Sequence, residues 1–271
     1  MELKGFEKAV DLIEAASQQP PEEFPVPAPH REATTAGGST TLPPELDAIT
    51  PLVDREHEMH WLRGTWRQAK RGRGRVVFVS GPSQIGKTRL AAELTSEIGD
   101  AGARIHYAGP GGAAAALAMA AVREAADAVE PTLVVLDDLD VAGEDAARAL
   151  ADAQDRLRSR PVLAIGLLKD SAAGPALAAV VDEADRFGDG HVPLSALDID
   201  GVEGIARLYV GDEVQDVPLE AMARASGGVP GRVHEVVSEW ARDEAGRRLA
   251  AAAEWLSEGQ GRRSEIGRAH V

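Results

Sequence analysis

The stretch "VVFVSGPSQIGKTRLAAEL", Val76 to Leu94, decides the reading of this chain. Its opening residues are apolar and β-prone, which predicts a buried strand. Its end carries apolar residues at helical spacing. Between them, Gly81-Pro82-Ser83-Gln84-Ile85-Gly86-Lys87-Thr88 fits G-x-x-x-x-G-K-[ST] at each fixed position. A strand, a glycine loop and a helix start present backbone N–H groups to an anion. Gly81 and Gly86 allow the tight turn and the close approach to phosphate oxygens, and the helix dipole favours negative charge there. Lys87 is spaced to place a point charge on the β- and γ-phosphates. Thr88 is spaced to ligate Mg²⁺ through its hydroxyl. The plainer alternative is a glycine turn followed by a surface lysine.

A second segment supports the first. In "TLVVLDDLD", Thr132 to Asp140, four apolar residues run into Asp137 and Asp138. This predicts a strand with an acidic end, and one further strand–helix unit separates it from the glycine loop. It resembles a Walker B strand. Asp137 is then expected to support the Mg²⁺ shell and Asp138 to orient an attacking water, with Lys87 as its catalytic partner. Asp is one methylene shorter than the Glu of many fast ATPases, so slow turnover is expected.

Outward from these motifs the chain alternates. Helical periodicity over His57–Lys70, the loop helix, Ala113–Val129, Gly143–Ser159 and Gly174–Phe187 interleaves with strands "RVVFVS", "RIHYA", "TLVVLDDLD", "PVLAIGLL" and "HVPLSAL". Strands alternating with helices predict an α/β fold, a parallel sheet flanked by helices over residues 50–197. From Asp198 the pattern is helical only, with a long run from Gly231 to Glu258, which predicts a small all-helical subdomain over 198–264. Residues 18–49 contain seven prolines among small polar residues and read as an extended linker.

Composition narrows the function. The 271 residues carry a formal net charge of -15, which disfavours direct nucleic-acid binding by this segment. Cysteine is absent, so disulfides and thiolate zinc sites are excluded. No signal-peptide pattern and no long apolar run are seen, and the expectation is a cytoplasmic chain without a membrane partner. The basic run Lys70–Arg75 reads as a solvated loop. Trp61 and Trp66 read as packing residues of the first helix.

Three further stretches carry a family resemblance. "PLVDREHEM", Pro51 to Met59, resembles the hhGRExE signature of STAND-type NTPases and their AAA relatives. Arg55, Glu56 and Glu58 match, and Asp54 stands in place of the glycine. "SGGVPGRVHEVV", Ser226 to Val237, resembles the G-x-P lid motif, with Gly228 and Pro230 in place. "PVLAIGLLKD" resembles the sensor strand, with Lys169 where many relatives carry Arg, so the charge is kept and the planar fork lost. The resemblance implies a P-loop NTPase core with a helical lid, binding ATP with Mg²⁺. It adds Arg55, Pro230 and Arg232 to the expected nucleotide-binding residues, with His234 behind Arg232. No guanine-reading N-K-x-D motif is present, which tilts the choice between ATP and GTP toward ATP.

The ends resemble other things. "ELKGFEKAVDLIEA" is similar to the closing segment of class III nucleotide cyclase domains, with Lys4, Gly5 and Val10 matching and Ala9 at the usual proline. Residues 1–17 are thus expected to be a cyclase remnant in a longer bacterial protein. Glu265–Val271 matches a reading frame of a common sequencing-library adapter and is expected to be an artefact. The expected function is a slowly hydrolysing ATP/ADP switch in signalling or transcription control, with protein partners or self-association through flanking domains. Two alternatives stay open: a remodelling AAA-type ATPase resembling origin-recognition-like ATPases, and a non-hydrolysing nucleotide-binding scaffold.

Overall fold

The computed structural model describes residues 46, 50–99, 102–109, 114–169, 174–186 and 190–268, with side chains to 255. The fold is that of the unit Thr40–Val271. The expected cyclase remnant and most of the linker stretch lie outside the described residues. Leu46, near the end of that stretch, is fully buried.

The core is built on five strands: β1 (Arg75–Ser80), β2 (Arg104–Ala108), β3 (Thr132–Leu136), β4 (Val162–Leu168) and β5 (His191–Pro193). They form one sheet in the order β2-β3-β4-β1-β5, and every pairing is parallel. Sequence neighbours β1 and β2 are therefore separated by β4 and β3. Parallel strands need crossovers, and these are α2 (Lys87–Gly99), α3 (Ala114–Ala126), α4 (Leu139–Arg158) and α5 (Pro175–Arg186). Helix α1 (Glu56–Ala69) precedes β1.

Both sheet faces are covered, so the inner strands β1, β3 and β4 are buried almost throughout rather than alternating, whereas the edge strands β2 and β5 are only partly buried. Val76 and Phe78 of β1 and Val134 and Leu136 of β3 pack on one face with α3, α4 and α5. Val77, Val79, Leu133 and Val135 pack on the other with α1 and α2, where Trp66 is buried and Trp61 partly so. The basic run Lys70–Arg75 turns into the N-terminal end of β1, the end of the strand opposite the glycine loop.

A separate apolar cluster forms the helical subdomain. It joins α6 (Ile199–Val210), a 3₁₀ turn (Gly211–Asp216), α7 (Leu219–Ser226) and α8 (Pro230–Arg268) around Val202, Ile205, Val214, Met222, Val233 and Val237. Asp198 caps α6 by accepting from the Gly201 N–H at 3.0 Å. Pro230 opens α8, where a missing N–H costs nothing.

Element boundaries shift most in three places. The fifth strand is expected over His191–Leu197 but pairs with β1 only through Pro193, as a short edge strand. The acidic strand stops at Leu136, and a helix starts at Leu139, four residues before the expected Gly143. Gly143, at φ +84°, breaks that helix near its start. Helix α8 runs to Arg268, ten residues past its expected end and into the stretch expected to be an artefact.

Candidate functional site

The loop after β1 turns as its glycines permit. Gly81 sits at φ +146° and Gly86 at φ +100°, conformations that favour glycine. Gln84, at φ +65°, is left-handed without being glycine. Helix α2 begins at Lys87. Lys87 is buried, 7% exposed, and its ammonium donates to the carbonyls of Gly81 at 2.7 Å and Pro82 at 3.0 Å. Burial lowers its pKa from the usual lysine value, against the pull of Asp138, Asp137 and Asp140.

The acidic end of β3 meets this helix start. Thr88 Oγ1 donates to Asp137 Oδ2 at 2.8 Å. Tyr107 Oη, at the end of β2, donates to the same oxygen at 3.2 Å. The Asp138 N–H donates to Asp137 Oδ1 at 2.9 Å. The Asp137 carboxylate is thus held on both oxygens, and the residue is buried. Asp138 follows in a left-handed conformation at φ +47°, a strained placement for a residue with a Cβ. Its Oδ1 lies 3.8 Å from Lys169 Nζ. That approach exists because β4 is inserted between β1 and β3.

The segment before α1 closes another side. Asp54 occupies φ +53°, so the position where glycine is expected does need a left-handed residue, which Asp tolerates. Burial raises the pKa of its carboxyl, and Asp198 raises it further. Arg55 is 5% exposed and donates to the Ser195 carbonyl at 2.6 Å and to Glu58 at 3.4 Å. Leu52 packs on the core and Val53 on the helical subdomain, so this strap joins the two.

The subdomain touches the loop directly. The Gly231 N–H donates to the Gln84 carbonyl at 3.0 Å, and Gln84 Nε2 lies 3.3 Å from Glu235 Oε1. A cavity of about 430 Å³ lies among these parts, within the range that holds small ligands. The structure brings Ser83 to Thr88, Arg55, Asp137, Asp138, Lys169 and Pro230 to its walls. Gly81 and Pro82 lie behind Lys87 as its acceptors. Arg232 is exposed and is not among the lining residues, whereas His234, two residues further along α8, lines the cavity. Burial lowers the pKa of the His234 imidazole from its ordinary value, and Nδ1 lies 2.9 Å from Tyr209 Oη.

Two residues at this site escaped sequence reasoning. Tyr107 had no motif to mark it, since its partner comes from a different strand. Arg89, next to Thr88, read as an ordinary helix residue. Among the described residues no group of three or more His, Asp or Glu forms a metal cluster, and no helix is long and apolar enough to cross a membrane.

Sheet and loop define the fold: the chain has the α/β fold of a P-loop NTPase. A sequence family described as an AAA ATPase domain matches residues 51–115, from the strap to the start of α3. No curated protein matches the chain by sequence. Among solved structures, the chain is similar to ORC2 of Aeropyrum pernix, with TM-score 0.51 and 14% identity over 74% of this chain and 67% of that one. It is similar to a chain of the E. coli HORMA:CdnC:Trip13 complex, with TM-score 0.51 and 14% identity over 68% and 77%. A RuvB variant of Thermotoga maritima matches with TM-score 0.48 and 20% identity over 69% of this chain. The match spans 61% of the RuvB chain's length.

Proposed function

We propose that the chain is an ATP-binding regulatory module, a Mg²⁺-ATP/ADP switch of STAND type with slow hydrolysis. The observation that carries this reading is the convergence of Lys87, the Thr88–Asp137 pair and Asp138–Lys169 on one cavity whose far wall is the helical subdomain. Lys87 and the N–H groups of the loop hold phosphate oxygens. Thr88 and Asp137 hold Mg²⁺, which supplies charge neutralisation at those oxygens when bound. The residues fit the ion: a hydroxyl and a carboxylate already face each other at hydrogen-bond distance beside the glycine loop.

Asp138 orients water. Its short side chain, on a left-handed backbone and 3.8 Å from Lys169, supports slow turnover. The Gly231–Gln84 hydrogen bond supports the switch, since it gives the subdomain a direct grip on the phosphate loop. The net charge of -15 disfavours the alternative of a DNA-remodelling ATPase.

The test is a titration of the full chain with Mg²⁺-ATP and Mg²⁺-ADP, following melting temperature and phosphate release, beside Lys87→Ala. A ligand at a hundredfold excess over its dissociation constant stabilises by about 2.7 kcal/mol. Stabilisation abolished in Lys87→Ala, with little phosphate released, supports the switch. Brisk release points to a remodelling ATPase. If neither nucleotide raises the melting temperature, the proposal is wrong.

A further inference from the structure

The end of the sheet away from the cavity gathers positive charge on an acidic chain. Two segments meet there. One joins α1 to β1 and carries Lys70, Arg71 and Arg73. The other closes α4 and leads into β4, and carries Arg156 and Arg160. β1 and β4 are sheet neighbours, with Arg75 in register with Leu163, so these two turns lie side by side. Gly74 holds them together. Its N–H donates to the Arg158 carbonyl at 3.0 Å. A Cβ at residue 74 would lie 1.9 Å from the Leu157 carbonyl oxygen and 2.7 Å from that of Arg160, so the approach needs glycine.

Elsewhere on the surface arginines sit on carboxylates, as Arg63 does on Glu97, Arg148 on Glu144 and Arg207 on Glu203. In the two turns Arg158 pairs with Asp155, and Arg75 donates to Gln68. Lys70, Arg71, Arg73, Arg156 and Arg160 make no ion pair or side-chain hydrogen bond among the described residues. All of these but Arg160 are exposed. We propose that the two turns form one docking surface for a short acidic protein segment, whose carboxylates supply the missing partners. Guanidinium forks match carboxylates in bidentate geometry. The surroundings select the class of partner. Asp152 and Asp155 bound the patch along α4. On the β3 side the Thr132 N–H, bonded to the Pro161 carbonyl at 2.9 Å, brings the exposed Glu130 close. A nucleic-acid duplex would run past the turns onto this acidic surround and be repelled, whereas a short segment stays within the patch. Neither turn exposes a large apolar side chain to enter a membrane.

Anisotropy of a fluorescein-labelled oligoglutamate, titrated with the full chain, tests this. Wild-type protein is expected to bind saturably, and less tightly as salt rises. Arg71→Gln on one turn and Arg156→Gln on the other are each expected to weaken binding about threefold, the size of an exposed ion pair. Together they are expected to weaken it about tenfold, since separate losses add. Arg224→Gln, the same charge change on α7, is expected to leave binding unchanged. Gly74→Ala keeps every charge but forces the turns apart, and is expected to weaken binding severalfold. If that variant does not fold, the arginine variants carry the decision. No binding by the wild type, or no loss in Arg156→Gln, overturns the inference. An equal loss in Arg224→Gln reduces it to net charge, and a folded Gly74→Ala that binds as the wild type does removes the composite surface. Tighter binding of a labelled DNA duplex than of oligoglutamate overturns the choice of partner.

Discussion

The contact between Gly231 and Gln84 makes a sharp prediction because two effects oppose each other there. Gly231 is the second residue of α8, and alanine is the better helix former by up to about 1 kcal/mol. Propensity alone therefore predicts that Gly231→Ala stabilises. The tertiary contact predicts the reverse. A Cβ at residue 231 would lie 2.7 Å from Gln84 Cβ, about 0.7 Å inside ordinary contact, and 3.1 Å from Cγ. Gln84 Cβ is anchored to a left-handed backbone and has little room to yield. Helix α8 must then withdraw, which strains the 3.0 Å hydrogen bond from the 231 N–H to the Gln84 carbonyl. Overpacking costs about 1–3 kcal/mol and the weakened hydrogen bond about 1. A penalty of about 2 kcal/mol on the closed arrangement corresponds to roughly thirtyfold weaker ATP binding. After the helix gain, a net loss of about 1 kcal/mol lowers the melting temperature by about 2–4 °C. Melting curves of the full chain with and without Mg²⁺-ATP measure both. A raised melting temperature with unchanged ATP affinity would refute the idea that this contact couples the subdomain to the loop.

Other outcomes follow from the same site. Tyr107→Phe removes one of the donors to Asp137 and should weaken Mg²⁺ dependence of nucleotide binding by about 1 kcal/mol, read as a shifted Mg²⁺ midpoint; an unchanged midpoint would show that Thr88 and the backbone suffice. Asp54→Gly relieves a left-handed residue and should raise stability by about 0.5 kcal/mol in urea melts, a gain trimmed by glycine's own entropy. His234 has a folded pKa below its ordinary 6.5, so the unfolded chain takes up this proton first as pH falls. Its contribution to stability is present above pH 6.5 and is lost as pH drops toward the folded value, and His234→Gln should flatten the stability profile in that window. Lys87 must be protonated to grip phosphate, and burial lowers its pKa, so ATP affinity should start to fall at a lower alkaline pH than for an exposed lysine, with binding isotherms across that range as the check.

Sequence alone determined the elements that depend on near neighbours. The run from Val76 to Leu94 specifies strand, loop and helix by local periodicity and by glycines at fixed offsets, and the β3 acids follow the same logic. The alternation of strands with helices predicted a parallel sheet flanked by helices, because each parallel pair needs a crossover that packs back on the sheet. The sequence marked Asp54 as standing in place of a glycine, and the structure supplied its left-handed conformation.

Tertiary structure decided what depends on distant chain. Strand order is not written in any one strand, and only the insertion of β4 between β1 and β3 brings Lys169 to Asp138. The rotation of α8 about its axis decided between Arg232 and His234. Residues two apart point about 200° apart on a helix, and only the packing of Val233 and Val237 into the subdomain core fixes which one meets the cavity. Tyr107 on Asp137 and Arg89 on Thr50 join residues 30 and 39 positions apart. No local pattern encodes such pairs, because their geometry is set by how the packed layers bring separate segments together.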